Sequence, residues 1–128
     1  MPSNSPEACT TDFTAALIER DMKLALTFLT DDVVFLASNG SAIRGKDAFA
    51  SWMTAGWNVL EDYSYTTADP VWVARSDAVA CVVHAFAWTA RVQGETAGGR
   101  GRATRVLTGD SSGWRIAHEH VSARDWGP

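Results

Sequence analysis

The last quarter of the chain places ionisable side chains inside a predicted β-hairpin. Two stretches of about eight residues, rich in Thr, Val, Ile and Trp, lie between Gly101 and Ser122, a composition typical of strands. Between them, Asp110-Ser111-Ser112-Gly113 supplies residues that accept turn geometry. Four ionisable residues interrupt the apolar pattern: Arg105, His118, Glu119 and His120. The hairpin therefore indicates a fold with a pocket, and it identifies residues that could line this pocket.

Length and composition favour one soluble domain. A chain of 128 residues buries roughly two-thirds of its unfolded surface on folding. Its net charge of −4 argues against nucleic acid as a partner, because phosphate binding needs a basic surface. Cys9 and Cys81 do not make a disulfide framework. The sequence shows no signal-peptide pattern and no apolar run of ~20 residues, so we expect a cytoplasmic protein without a membrane partner.

The first half of the chain predicts helices and a short hairpin. Residues 1–5 are expected to be disordered, and residues 6–128 are expected to form a single domain. The predicted elements are a helix from Pro6 to about Arg20, a short helix capped by Asp21, strands Val33–Ala37 and Ala42–Arg44, and a third helix beginning at Lys46 or Asp47.

The second half predicts long strands, so the chain is assigned to the α+β class. Tyr63 to Val73 is one strand, with a bulge or bend at Pro70, and Ala78 to Val92 is another. Gln93 to Arg100 is interpreted as a glycine-rich loop before the hairpin. Because three helices can cover only one face of the sheet, the other face is expected to bind a second subunit in a two-fold homodimer.

Three segments resemble the nuclear transport factor 2-like superfamily: Ala25–Ala37, Ile43–Phe49 and Gly113–Ser122. Within it, Thr104-Arg105-Val106 followed by Gly-Trp and His-x-His-x-Ser is similar to the SnoaL-like group, which is related to the association domain of calcium/calmodulin-dependent kinases. The resemblance covers nearly the whole chain. It implies a cone-shaped α+β barrel, with three N-terminal helices on a curved, mostly antiparallel sheet that encloses a cavity, and a homodimer. Its members include isomerases, cyclases, hydratases and proteins without catalysis.

The resemblance also shows which functional residues are missing. The proton-shuttling Asp of ketosteroid isomerases falls on Ala37, their hydrogen-bonding Tyr on Phe13 and their second acid on Arg105. Ala and Phe supply neither a base nor a donor, so we do not expect the ketosteroid isomerase mechanism. In the kinase association domains the Arg of Thr-Arg-Val, which corresponds to Arg105, lies inside the cavity. These domains have a second Arg in the cavity, and the corresponding residue in this chain is Val121.

Arg105 and Glu119 have two interpretations. A buried guanidinium must be paired or must bind an anion, and Glu119 has the spacing to lie opposite it across the hairpin. The two residues could form a structural ion pair that closes the cavity floor. They could instead orient a carboxylate, a carbonyl group or a catalytic water molecule.

The three histidines are weaker candidates. His118 and His120 lack a third ligand, so no metal site is expected, and hydrogen bonding at the outer sheet face is favoured. His84 lies in an apolar strand and is either a satisfied core residue or, if it faces the cavity, a general base. The chain has no phosphate loop or dinucleotide fingerprint, so no cofactor is expected.

Two functions follow from these residues. The first is a cofactor-independent isomerase, cyclase or hydratase acting on a small, mostly apolar carbonyl or carboxylate compound. Its predicted catalytic residues are His84, Glu119 and Arg105, and its ligand-binding residues are Trp52, Trp57, Trp88 and Arg105. The alternative is a non-catalytic module for ligand binding, dimerisation or assembly. The sequence leaves both open.

Overall fold

The computed structural model describes residues 3–123, which form three helices and one six-stranded sheet. The helices are α1 (Pro6–Ile18), α2 (Met22–Thr27) and α3 (Lys46–Val59). The strands are β1 (Leu29–Leu36), β2 (Ala42–Arg44), β3 (Glu61–Arg75), β4 (Val79–Val92), β5 (Glu95–Asp110) and β6 (Gly113–Ala123). This confirms the predicted α+β class. Within the described residues, no helix has both the length and the apolarity needed to cross a bilayer.

The sheet is mixed, curved and open. Its strand order is β2-β1-β6-β5-β4-β3, so β2 and β3 form the edges. β1 pairs in parallel with β6, and the other neighbours pair antiparallel. The helices cover the inner face, and the core between the two layers contains the fully buried side chains of Phe13, Phe49, Leu29, Leu107 and Ile116.

Local sequence signals set the helix boundaries. The Ser5 hydroxyl accepts a hydrogen bond from the Ala8 N–H at the start of α1, and the Asp21 carboxylate accepts one from the Leu24 N–H at the start of α2. α1 ends at Ile18, before the predicted end, because Arg20 adopts a left-handed backbone with φ of 57°.

Ser3 precedes helix α1 and forms an isolated bridge with Trp114 of β6. Ser3 is buried, and its carbonyl accepts a hydrogen bond of 2.9 Å from the backbone N–H of Trp114 in β6. Residues 1–2, and residues 124–128 of the predicted domain, lie outside the described part of the chain.

The predicted glycine-rich loop is wrong, because β5 begins at Glu95. Only Gln93 and Gly94 form the connection, with φ values of 52° and 81° that suit a two-residue hairpin turn. The later glycines mark close approaches within the sheet. A Cβ at Gly99 would lie 2.7 Å from Nε1 of Trp88.

A bulge in β6 decides which of its side chains face the helices. Leu107 pairs with Ile116 and Val106 with His118, so Ala117 is an extra residue without a partner in β5. Simple alternation would place Ile116 and Glu119 on opposite faces. The bulge places both on the inner face, where both are buried. A second register shift, between Ala68 and Val71, confirms the irregularity predicted at Pro70.

Candidate ligand pocket

A pocket of about 500 Å³ lies between α3, the end of α1 and the inner face of the sheet. We call it the aromatic pocket, because seven of its lining residues are aromatic: Phe35, Trp52, Trp57, Tyr63, Tyr65, Phe86 and Trp88. The structure therefore brings together the three tryptophans predicted as ligand-binding walls. Tyr63 and Tyr65 are not among the predicted ligand-binding residues, although their period-two spacing in a predicted strand places both on one face.

Helix α3 forms one wall because its apolar residues follow helical spacing. Trp52, Met53, Gly56 and Trp57 all line the pocket from α3. The Trp52 ring lies 5.3 Å from the ring of Phe35 in β1, which fixes the helix against the sheet. Gly56 leaves a gap in this wall, since a Cβ there would meet no atom within 4 Å.

Strands β3, β4 and β5 form the opposite wall. Tyr65 pairs with Trp88, and the Tyr65 and Phe86 rings stack with centroids 5.8 Å apart. Gly99 lies opposite Trp88 in β5, and its missing side chain leaves room for the indole. This wall of flat rings suits an apolar ligand.

Arg105 lies at the base of the pocket and is 1% exposed. Its Nε donates to Oε1 of Glu119 at 2.5 Å. Its Nη1 donates to the Thr10 carbonyl at 3.1 Å, to the Thr10 hydroxyl at 2.5 Å and to the Thr14 hydroxyl at 2.9 Å. The guanidinium carbon also lies 5.1 Å from the ring centroid of Phe13. The cross-strand pairing predicted for Arg105 and Glu119 is therefore present, and helix α1 completes it.

Glu119 and Tyr65 give the aromatic pocket a polar end. Glu119 lines the pocket beside Arg105 and is 6% exposed. Burial raises the pKa of Tyr65, and the nearby charge of Glu119 raises it further. The Tyr65 phenol therefore stays neutral and can donate a hydrogen bond. Together these residues offer an otherwise apolar ligand one hydrogen-bond acceptor and one hydrogen-bond donor.

His84 lies on the inner face but lines a different pocket. This second pocket has a volume of about 220 Å³ and shares Arg105 with the aromatic pocket. Burial, and then the charge of Arg105, lower the pKa of His84 to about 4, so the imidazole is neutral at pH 7. The structure thus does not place His84 with Glu119 and the tryptophans in one pocket. Its role as a general base stays a prediction.

The other two histidines occupy the outer face of β6. Nδ1 of His118 lies 2.8 Å from the Val34 carbonyl oxygen of β1, within hydrogen-bond distance. His120 pairs with Leu36 in β1, and its side chain is exposed. Across residues 3–123, no three His, Cys, Asp or Glu side chains are placed to hold a metal ion.

Comparison with known proteins identifies the family. Residues 7–125 match the model of the SnoaL-like domain, so the chain belongs to this family. Comparison with curated proteins gives no significant match.

Similar solved structures show the same fold. A ketosteroid isomerase-like protein from Erwinia carotovora atroseptica is 22% identical with a TM-score of 0.78, covering 95% of this chain and 94% of that protein. A protein from Thiobacillus denitrificans, named as a candidate calcium/calmodulin-dependent protein kinase type II association domain, is 20% identical with a TM-score of 0.76, covering 98% and 99%. A protein from Novosphingobium aromaticivorans, named as a candidate scytalone dehydratase, is 13% identical with a TM-score of 0.80, covering 93% and 81%.

Proposed function

We propose that the protein binds a small, mostly apolar carbonyl compound in the aromatic pocket. The observation that carries this proposal is a 500 Å³ space with seven aromatic lining residues and one buried ion pair, Arg105–Glu119, at its polar end. Small-molecule sites combine apolar walls with a few placed polar groups in this way. The ring system of the ligand would lie among Trp52, Trp57 and Trp88.

The charges at the polar end favour a carbonyl group over a carboxylate. Glu119 lines the aromatic pocket, so a ligand carboxylate there would lie beside a like charge. Arg105 already donates to Glu119 and to two threonines, and its charge is offset by Glu119. A neutral carbonyl oxygen can instead accept a hydrogen bond from the Tyr65 phenol.

The same end of the pocket supports cofactor-independent acid–base chemistry. In this proposal Glu119 removes a proton next to the ligand carbonyl, and Tyr65 donates a hydrogen bond to the carbonyl oxygen as negative charge develops on it. Arg105 holds the Glu119 carboxylate in place. Isomerisation, cyclisation and dehydration of carbonyl compounds all use such a step. The candidate scytalone dehydratase among the similar folds agrees with this class of reaction.

Intrinsic tryptophan fluorescence tests the binding proposal. Titration with an aromatic ketone such as 2-acetylnaphthalene is expected to quench Trp52, Trp57 and Trp88 to saturation. Gly56→Leu fills the gap in α3 and is expected to abolish this quenching. Gly56→Ala is the matched control, because it adds a methyl group in open space and favours the helix by up to about 1 kcal/mol.

Three results decide between the possibilities. Saturation in the wild type and in Gly56→Ala, with loss in Gly56→Leu, supports binding in the aromatic pocket. Quenching that persists in Gly56→Leu contradicts it. Titration with 2-naphthoate tests the preference for a carbonyl group over a carboxylate. For the binding that Gly56→Leu removes, we expect the affinity for 2-naphthoate to be at least tenfold weaker than that for 2-acetylnaphthalene.

We also propose that the outer sheet face mediates a homodimer, the interaction expected from the sequence. Val71, Val73 and Val79 are 54%, 57% and 45% exposed on this face. Exposed valines on neighbouring strands are typical of a surface that binds another protein. Sedimentation velocity is expected to give a dimer that Val71→Lys dissociates. A wild-type protein that sediments as a monomer at all concentrations would overturn this proposal.

A further inference from the structure

A second pocket, lined from both α1 and the β3–β4 hairpin, lies on the α1 side of Arg105. We call it the threonine pocket, because Thr10, Thr11 and Thr14 of α1 line one side of it. His84 and Val82 of β4 and Trp72 of β3 line the other side. Its volume of about 220 Å³ exceeds the roughly 30 Å³ share of one liquid water several times, so it can hold a small molecule.

His84 supplies an unpartnered buried nitrogen in this pocket. Its residue surface is 6% exposed, and its Nε2 atom has no hydrogen-bond partner among residues 3–123. A buried polar atom without a partner destabilises a fold, so native proteins rarely retain one without a ligand, a water molecule or a function. The imidazole is therefore a group with spare hydrogen-bonding capacity among the residues that line the threonine pocket.

The two threonine hydroxyls have spare donors. A guanidinium can only donate hydrogen bonds, so the Thr10 and Thr14 oxygens both accept from Nη1 of Arg105. Each hydroxyl hydrogen is then directed away from Arg105. A ligand in the threonine pocket that accepts hydrogen bonds can receive these hydrogens together with the N–H of the neutral His84 ring.

Of the two residues in the ion pair, the positively charged Arg105 is the one that lines this pocket. Arg105 lines both pockets, whereas Glu119 lines only the aromatic pocket. Glu7 also lines the threonine pocket, and both oxygens of its carboxylate already accept hydrogen bonds from Arg75. A negatively charged ligand therefore faces the cation of the pair at short range, with the anion of the pair behind it.

From this arrangement we infer that the threonine pocket is a binding site for a small carboxylate of the size of acetate. The carboxylate oxygens accept from the Thr10 and Thr14 hydroxyls and from His84, in the field of Arg105. The site does not depend on the ligand of the aromatic pocket. The two sides of the Arg105–Glu119 pair thus select different chemistry: a neutral carbonyl group on the Glu119 side and a carboxylate on the Arg105 side.

Histidine NMR tests this inference directly, because the chain has three histidines in different environments. Sodium acetate is titrated into the wild-type protein at constant ionic strength, with sodium chloride as the balancing salt. The ring resonances of His84, assigned with His84→Gln, are expected to shift to saturation. The ring resonances of His118 and His120, on the outer face, are the internal control and are expected not to shift to saturation.

A neutral analogue and a variant make the test specific. Acetamide has nearly the same shape without the charge, and it is expected not to saturate the His84 shift in the range where acetate does. Thr14→Val removes one hydroxyl donor at similar volume, and it is expected to weaken acetate binding about tenfold, the equivalent of one hydrogen bond. If Thr14→Val fails to fold, the comparison of acetate with acetamide in the wild type decides alone.

Three outcomes would overturn the inference. One is a His84 shift that rises linearly with acetate and is reproduced by chloride. Another is equal saturation by acetamide, which would show that the pocket does not select charge. The third is a saturable shift of the Trp88 indole N–H without one at His84, which would place acetate in the aromatic pocket.

Discussion

Replacing Glu119 with Leu is expected to cost about 3–5 kcal/mol of unfolding free energy, because it leaves the Arg105 cation buried without its counterion. The structure gives this site little room for relaxation. Arg105 is 1% exposed, and its remaining partners, Thr10 and Thr14, are neutral. A loss of this size is a large part of the 5–15 kcal/mol typical of a domain, so the variant is expected to unfold at a much lower urea concentration.

The double variant Arg105→Met/Glu119→Leu separates the charge from the volume. It removes both ions and fills the space with apolar atoms, so the desolvation cost of the pair disappears. Loss of the hydrogen bonds to Thr10 and Thr14 is then the main penalty, at about 1 kcal/mol each. We therefore expect the double variant to be more stable than Glu119→Leu alone, with a coupling of at least about 2 kcal/mol.

Urea unfolding at pH 7, followed by far-ultraviolet circular dichroism, measures all members of the cycle. Glu119→Gln is the control that keeps a hydrogen-bond acceptor for Nε of Arg105 while removing the charge. A cost of less than about 1 kcal/mol for Glu119→Leu would contradict a buried, uncompensated Arg105 cation. Additive effects of Glu119→Leu and Arg105→Met, without coupling, would contradict it as well.

Three further changes have clear expected outcomes. Gly99→Ala places a Cβ 2.7 Å from Nε1 of Trp88, so the indole must move. The near-ultraviolet circular dichroism spectrum should therefore change, and the affinity for the ketone should fall at least tenfold. Acidification from pH 6.5 to 4 should lower the unfolding free energy by up to about 3 kcal/mol. The pKa of His84 is about 4 in the folded protein and 6.5 in the unfolded chain, so the unfolded chain binds the proton first. Urea titrations of His84→Gln should lack this part of the pH dependence. Asp21→Ala removes the N-terminal cap of α2 and should lower the free energy of unfolding by about 1 kcal/mol without affecting ligand binding.

The sequence predicts the helices and the pairing in the hairpin because these depend on local signals. The caps at Ser5 and Asp21 depend on residues within one helical turn. Arg105 and Glu119 are close along the chain, so a hairpin turn is enough to place them opposite each other. The family resemblance rests on the same local segments, and it predicts the class of fold correctly.

The faces of the strands could not be predicted in the same way. The bulge at Ala117 moves Glu119 to the inner face with Ile116, and no residue type in β6 marks this bulge. The glycines before Arg100 look like a loop by composition, but Gly98 and Gly99 lie in β5, where Trp88 and Thr89 leave no room for side chains. These features depend on contacts between distant segments.

The position of His84 also depends on tertiary structure. Its strand and its inward orientation follow from alternation, but the pocket that it lines is formed together with helix α1 and Arg105. Thr10 and Thr14 could not be predicted as partners of Arg105, because 91 to 95 residues separate them from it along the chain.

A crystal structure of the protein with 2-acetylnaphthalene would show whether the aromatic pocket binds a ketone as proposed. We expect the rings to lie among Trp52, Trp57 and Trp88, with the carbonyl oxygen beside Tyr65 and the adjacent methyl carbon beside Glu119. Rings bound on the outer sheet face, or a carbonyl group directed away from the Arg105–Glu119 pair, would contradict it.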